Sequence, residues 1–168
     1  MPKQREFRLS EGGFGRRSLR ELEERHILST FGAHDWEEDS DGRWQSTGGQ
    51  RLVTNVRGVI GDGKEATVYW CDADPVLEEP SCIVKVYRAD AYRAFANNTT
   101  YLDANSVRDK RARRAIEKKT RRGREIAHAD WVEREWHTMS VLGDAGAYIP
   151  DPLAHSQDAI LMEFIGDG

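Results

Sequence analysis

Hydrophobic and polar positions alternate along this chain in two different rhythms. Leu52–Ile60, Ala66–Cys71, Ile83–Tyr87, Leu153–His155 and Ala159–Ile165 are short runs rich in Val, Ile and aromatic residues. Each is bounded by Gly, Pro or Asp, the punctuation of β-strands. Asp72–Ser81, with Pro75 and Pro80, is the loop between the second run and the third. Two stretches instead carry a helical repeat. In Ser18–Phe31, the residues Leu19, Leu22, His26, Ile27 and Phe31 fall roughly on one side; in Asp130–Gly143, the stripe is Trp131, Glu135, Met139 and Leu142. Asp130 with Glu133 predicts a capping box at the start of the second helix. Tyr148–Pro152 reads as a turn into the last pair of strands.

The resulting order is strand, strand, strand, helix, strand, strand. It predicts an α+β fold, a mostly antiparallel five-stranded sheet carrying one helix. Residues 1–49 form a polar N-terminal extension with the short first helix, and residues 50–168 form the domain. Within the extension Asp35–Gly49 is acidic and turn-rich, containing Glu37, Glu38, Asp39, Asp41, Gly42, Gly48 and Gly49. The expectation is a mobile, partly disordered segment.

Composition bounds this picture more than it changes it. At 168 residues, 38% hydrophobic and 32% charged, the chain suits one soluble domain with a polar extension. No stretch approaches the about 20 apolar residues that span a bilayer, and Met1–Glu6 lacks the apolar core of a signal peptide. A cytoplasmic location, without membrane association, is the expectation. Cys71 and Cys82 have no metal-ligand spacing and fit a reducing compartment, although a hairpin can bring the two together. Charge is more telling. The net charge is −4, yet Arg108–Arg124 holds ten Lys or Arg against Asp109 and Glu117. A basic island on an acidic body points to an anionic partner.

Candidate chemistry begins at Gly61-Asp62-Gly63-Lys64-Glu65-Ala66. Alternating glycines let a backbone approach phosphate closely and turn its N–H groups toward it. Gly58, Gly63 and Lys64 have Walker A spacing, but Glu65 stands where that loop needs Ser or Thr for Mg²⁺. A Walker loop also opens a helix, whereas Thr67-Val68-Tyr69-Trp70-Cys71 reads as a strand. A glycine loop between two strands is the kinase arrangement; an ordinary Gly-rich hairpin turn is the alternative. Strand alternation puts Lys85 opposite Val84 and Val86, beside Ile83 and Tyr87. It is an exposed-face lysine unless a carboxylate and a phosphate converge on it. Glu135 is the natural carboxylate, because a charge in an apolar stripe is costly unless paired; at the edge of the stripe it would instead reach water. His128-Ala129-Asp130 mimics the start of a kinase catalytic loop, but the fifth residue after Asp130 is Glu135 rather than Asn, and its place in the order is wrong.

Four segments in order resemble the RIO family of atypical serine/threonine protein kinases, closest to its first subfamily. They are Gly63-Lys64-Glu65-Ala66-Thr67-Val68-Tyr69, Ile83-Val84-Lys85-Val86-Tyr87, Trp131-Val132-Glu133-Arg134-Glu135-Trp136 and Leu161-Met162-Glu163-Phe164-Ile165-Gly166. Gly61 and Asp62 stand where the family's loop typically has Ser-Thr, and Thr67 where it has Asn. The resemblance, over about residues 50–168, implies a kinase N-lobe whose single helix is αC-like, with a basic flexible insertion at about 103–127. It implies ATP bound by Gly61, Asp62, Gly63, Lys64, Glu65, Ala66, Val68, Ile83, Lys85, Met162, Glu163 and Ile165. Lys85 would position phosphate and Glu135 would be its ion-pair partner. It also implies Mg²⁺, with ligands in a C-lobe that these residues do not include, as they do not include the catalytic Asp. Phosphorylation of a protein Ser/Thr or of the kinase itself, or ATP hydrolysis coupled to ribosome maturation, would be the activity of the whole protein. This chain alone is expected to be inactive. Two alternatives differ in class. One is a non-catalytic nucleotide- or RNA/ribosome-binding module using Arg108–Arg124; the other is a P-loop NTPase.

Overall fold

The computed structural model describes residues 13–88 and 109–166, with side chains from Leu19 onward. Residues 103–108 of the expected basic insertion, Arg108 included, lie outside the described residues. Seven strands form one mixed sheet in the order β1-β2-β6-β7-β5-β4-β3. The strands are β1 (Trp36–Glu38), β2 (Trp44–Gln50), β3 (Val53–Asp62), β4 (Ala66–Ala73), β5 (Ser81–Tyr87), β6 (Pro152–His155) and β7 (Ala159–Glu163). The helices are α1 (Gly13–Phe31), α2 (Lys110–Glu117) and α3 (Arg121–Asp144).

β4 and β5 are interior strands, each paired on both sides, as their sequences, apolar on both faces, require. Their seven residue pairs run from Ala66↔Tyr87 to Asp72↔Ser81 without a register break. β3 is the outer strand, and its pairing with β4 shifts register three times, between Val53 and Asn55, Val56 and Gly58, and Val59 and Gly61. Such bulges increase twist and keep an edge strand from pairing elsewhere. The loop after β4 is closed by a 3₁₀ turn, Pro75–Leu77, capped by the Asp74 side chain on the Val76 N–H. Cys71 and Cys82 are direct partners across this hairpin and both are free thiols. Burial pushes the Cys82 thiol up to about 12.

The two faces of the sheet have separate cores. On the back face α1 lays Ile27 and Phe31 against Leu52, Val53, Tyr69, Val84, Val86 and Leu161. Burying a side chain such as Phe31 stabilises the fold by about 1.5–3 kcal/mol. On the front face α3 lays Val132 against Ala66, Ile83, Tyr87, Ile160 and Met162, with Trp131, Trp136 and Met139 packed around them.

Three sequence expectations are corrected here. The sheet has seven strands and is mixed rather than five-stranded, because β1 and β2 join it and β2 pairs parallel with β6 at Trp44↔Ala154. The segment expected to be mobile and disordered is therefore a hairpin. Gly42 turns it at a φ of 77° that an L-residue rarely adopts, and Trp36 and Trp44 are buried in the back core, with Trp36 stacked on Phe31 at 5.2 Å. The long helix begins at Arg121, capped by the Thr120 hydroxyl on the Gly123 N–H at 3.1 Å, not at an Asp130–Glu133 capping box. Asp130 sits mid-helix and pairs with Arg134 at 3.0 Å. The described part of the basic stretch, from Asp109 onward, forms a helical pair, α2 and the start of α3. α2 crosses α3 so closely that a Cβ on Gly123 would collide with the Ala115 carbonyl.

Candidate nucleotide site

On the front face, alternation along β5 aligns Ile83, Lys85 and Tyr87, and the flat pairing register sets their neighbours. Val68 lies opposite Lys85, Met162 opposite Ile83, and Ile160 opposite Lys85 on the other side. α3 crosses this surface and delivers Glu135 to it. Lys85 Nζ donates to Glu135 Oε1 at 2.6 Å, and the Tyr87 hydroxyl donates to the same oxygen at 2.6 Å. Lys85 Nζ also lies 4.7 Å above the Tyr87 ring, and Tyr87 meets Trp131 edge-on at 5.2 Å. Burial, reinforced by the bond to Glu135, holds the Tyr87 phenol well above its ordinary pKa. Tyr87 therefore stays a neutral donor that fixes the carboxylate. The Lys85 and Glu135 side chains retain 30% and 28% exposure. A pair in this state is held in place yet open to a third, anionic group.

The remaining predicted residues fall into three places. Val68, Ile83 and Met162 share the apolar surface beside Lys85, with Trp70 and Phe164 at its far end. Gly61, Asp62, Gly63, Lys64 and Glu65 form the β3–β4 turn, closed by the Gly63 N–H on the Ala66 carbonyl at 3.0 Å. Lys64 and Glu65 are exposed there, whereas Ala66 is buried in the front core. Glu163 is turned to the surface at the end of β7, where its N–H donates to the Asp151 carbonyl, and Ile165 lies exposed beyond the strand. A cavity of about 280 Å³ lies elsewhere: Trp36, Arg43, Trp44, Trp136 and His155 line it, with none of the predicted nucleotide residues.

Several residues of this region were missed by sequence reasoning. Tyr87 holds Glu135 as firmly as Lys85 does. Trp70 stacks on Phe164 at 5.8 Å and carries Arg57 over its ring at 4.6 Å. Arg88, one residue past the lysine strand, donates to the Gly63 carbonyl at 2.5 Å, to Asp62 Oδ1 at 2.5 Å and to Thr67 Oγ1 at 2.8 Å. The signal for Tyr87 was available, since it shares the alternation that places Lys85. Nothing in the local pattern announces Arg88, because Asp62 and Gly63 come from the β3–β4 turn and Thr67 from the neighbouring strand.

The exposed glycine turn, the apolar surface and a held lysine suit the phosphates and base of a nucleotide. Among the described residues no group of three or more His, Cys, Asp or Glu is placed to hold a metal ion, so no step through Mg²⁺ is derived for them. Nor is any helix among them long and apolar enough to cross a membrane.

A sheet with a helix pinned to an interior strand by a Lys–Glu pair is consistent with a kinase-like N-lobe. The family model described as RIO domain matches residues 67–168, more than half of the chain. The chain belongs to the RIO family. The match opens at Thr67, on the strand that leaves the glycine turn. The serine/threonine-protein kinase RIO1 of Chaetomium thermophilum is 28% identical over 119 residues, covering 70% of this chain and 22% of the relative. The chain thus spans about a fifth of the length of that kinase.

Proposed function

We propose that this chain is the ATP-binding lobe of a RIO-type serine/threonine protein kinase or ATPase. The observation that carries the reading is the 2.6 Å contact between Lys85 and Glu135, made on the same surface as Val68, Ile83 and Met162. In this role Lys85 draws the α- and β-phosphates, Glu135 and Tyr87 hold Lys85 in position, and the turn from Gly61 to Glu65 covers the phosphates. The adenine rests against Val68 and Ile83, with backbone near Glu163 and Ile165 reading its edge and Met162 behind it. Mg²⁺ and the catalytic Asp belong to a second lobe. The whole protein would phosphorylate Ser or Thr, or couple ATP hydrolysis to ribosome maturation, in the cytoplasm.

An ATP probe bearing a reactive acyl phosphate tests the reading directly, since it acylates the lysine that touches the phosphates. Acylation of Lys85, suppressed by excess ATP, is the expected outcome. Labelling confined to Lys64 would favour a P-loop, and labelling of Lys85 indifferent to ATP would overturn the assignment. The isolated chain is expected to transfer no γ-phosphate to protein; turnover abolished by Lys85→Ala would contradict that.

A second reading draws on α2 and the start of α3. Lys110, Arg111, Arg114, Lys118, Lys119, Arg121, Arg122 and Arg124 are all exposed on this helical pair. Such a surface fits RNA or a ribosomal partner. RNA binding that weakens steeply with salt, with a shallower slope when Arg121 and Arg122 become Ala, is the expected behaviour.

A further inference from the structure

The glycine turn is held from behind, by a chain of hydrogen bonds that begins on α1. Glu23 of α1 is 8% exposed and lies against the back of the β4 strand. The Tyr69 hydroxyl donates to its Oε2, and the Thr67 hydroxyl, 1% exposed, donates to its Oε1 at 3.4 Å. The same Thr67 oxygen accepts from Arg88 Nη2 at 2.8 Å. Arg88 then grips the turn at three points: the Gly63 carbonyl, Asp62 Oδ1, and the Glu65 carbonyl, which accepts from the Arg88 backbone N–H at 2.8 Å. A weaker contact runs in parallel, with Arg20 of α1 3.9 Å from the other oxygen of Asp62.

Thr67 is the joint of this chain. A hydroxyl has one proton and can donate once while accepting. Here the proton goes to Glu23 and the lone pair receives Arg88. Thr67 lies on β4 directly after the turn and pairs in register with Asp62, so it is fixed to the sheet. What it passes on is the orientation of the Arg88 guanidinium, whose planar fork can hold the Gly63 carbonyl and Asp62 only in one plane. Asp62, Gly63, Lys64 and Glu65 are all exposed, so the turn is placed by its hydrogen bonds, the Gly63 N–H on the Ala66 carbonyl included, and not by burial.

We propose that α1 sets the position of the glycine turn through Glu23, Thr67 and Arg88, making these three positioning residues for the nucleotide phosphates. The proposal rests on the ATP-binding reading. None of the three touches the front surface where Lys85 and Glu135 meet. They act on the turn from the opposite face of the sheet, so docking of α1 and nucleotide binding are coupled. Coupling of this kind is reciprocal: what steadies the turn also steadies α1.

Hydrogen exchange on the whole chain tests this without nucleotide and then with ATP. Thr67→Val keeps the shape of the side chain and the Glu23–Tyr69 bond but removes the joint. It should speed exchange in the Gly63–Glu65 turn about five-fold, the effect of one lost net hydrogen bond, while amides in the second half of α1 stay protected. Thr67→Ser, which keeps the hydroxyl, should restore the wild-type rate. Adding ATP to the wild type should slow exchange at Glu23–Thr30, and that response should vanish in Thr67→Val. Unchanged turn exchange in Thr67→Val would overturn the proposal. So would loosening in Arg88→Ala alone, which would leave the turn held without α1. If ATP alters no amide of the wild type, the ATP-binding reading fails, while the nucleotide-free comparison still decides whether α1 holds the turn.

Discussion

Each face of the sheet receives one glutamate from the helix packed on it, and each glutamate accepts a hydrogen bond from a tyrosine of an interior strand. On the back, Glu23 of α1 meets Tyr69 and Thr67 and is 8% exposed. On the front, Glu135 of α3 meets Tyr87 and Lys85 and its side chain is 28% exposed. The hydrogen-bond partners of Glu23 are neutral hydroxyls in a nearly closed site; those of Glu135 include a cation that still sees solvent. The first arrangement joins a helix to a sheet. The second keeps a positive charge presented, as a binding surface for an anion requires. Helix, tyrosine and carboxylate are common to both, so the cation and its access to solvent make the functional difference.

Alanine at each glutamate is the widest separation of the two. Glu23→Ala strands two buried hydroxyls and opens a void, and should lower unfolding free energy by about 2–4 kcal/mol. Glu135→Ala removes a partly exposed pair and should lower it by about 1 kcal/mol. Urea denaturation measures both, and equal losses would erase the distinction. The tyrosines sharpen it. Tyr69→Phe leaves a buried carboxylate short of its main donor and should cost about 1–3 kcal/mol, against about 0.5–1.5 kcal/mol for Tyr87→Phe, where Lys85 remains.

The smallest effect is a pH dependence divided between the same two helices. His26 of α1 bonds Asp158 at 2.8 Å, and that hydrogen bond raises its pKa against the opposing pull of burial. Burial would push the Asp158 carboxyl up, but its bond to His26 carries it below the ordinary range. His128 of α3 is buried, and desolvation lowers its pKa. The raised His26 contributes stability that is complete below its unfolded value near 6.5 and is lost as pH rises through the folded value. The depressed His128 contributes stability present above 6.5 and lost as pH falls. The two oppose each other around neutrality. His26→Gln should leave a stability that rises with pH between about 5 and 8, and His128→Asn one that falls, each by under about 1 kcal/mol because His26 and Asp158 are partly solvated. Chemical denaturation at stepped pH reads the slope, and slopes of the same sign in both variants would contradict this division.

The front face was legible in the sequence for a specific reason. A lone lysine in an apolar strand and a lone glutamate in an apolar helical stripe are each costly alone, so each calls for the other. The same argument reaches Glu23. Leu19, Glu23, Ile27 and Phe31 form a row at intervals of four, and this is the row that packs inward, whereas Leu22, expected on the stripe, is 49% exposed. Leu142 is likewise 44% exposed, and Val132 takes the buried place on α3. The β1–β2 hairpin hid behind its acidity: only Trp36 and Trp44 face the core, and two buried indoles outweigh the polar residues around Gly42. The first turns of α3 were hidden for the opposite reason. Their partner is α2, joined through Gly123 and Ala115, and small residues leave no hydrophobic periodicity to read.

The hairpin has one more consequence, which concerns the order of assembly. Its inner strand, β2, pairs with β6, and Arg43 at its tip bonds Asp144 across 101 positions of sequence. Closing so long a loop is slow beside the local hairpins β3–β4 and β4–β5. On a ribosome making the chain from its N-terminus, Trp36 and Trp44 would emerge early and wait, partly uncovered, until β6 arrives to complete the wall behind them. The first-made hairpin is thus among the last to reach its final place, and that interval is when the nascent chain most needs shielding from wrong partners.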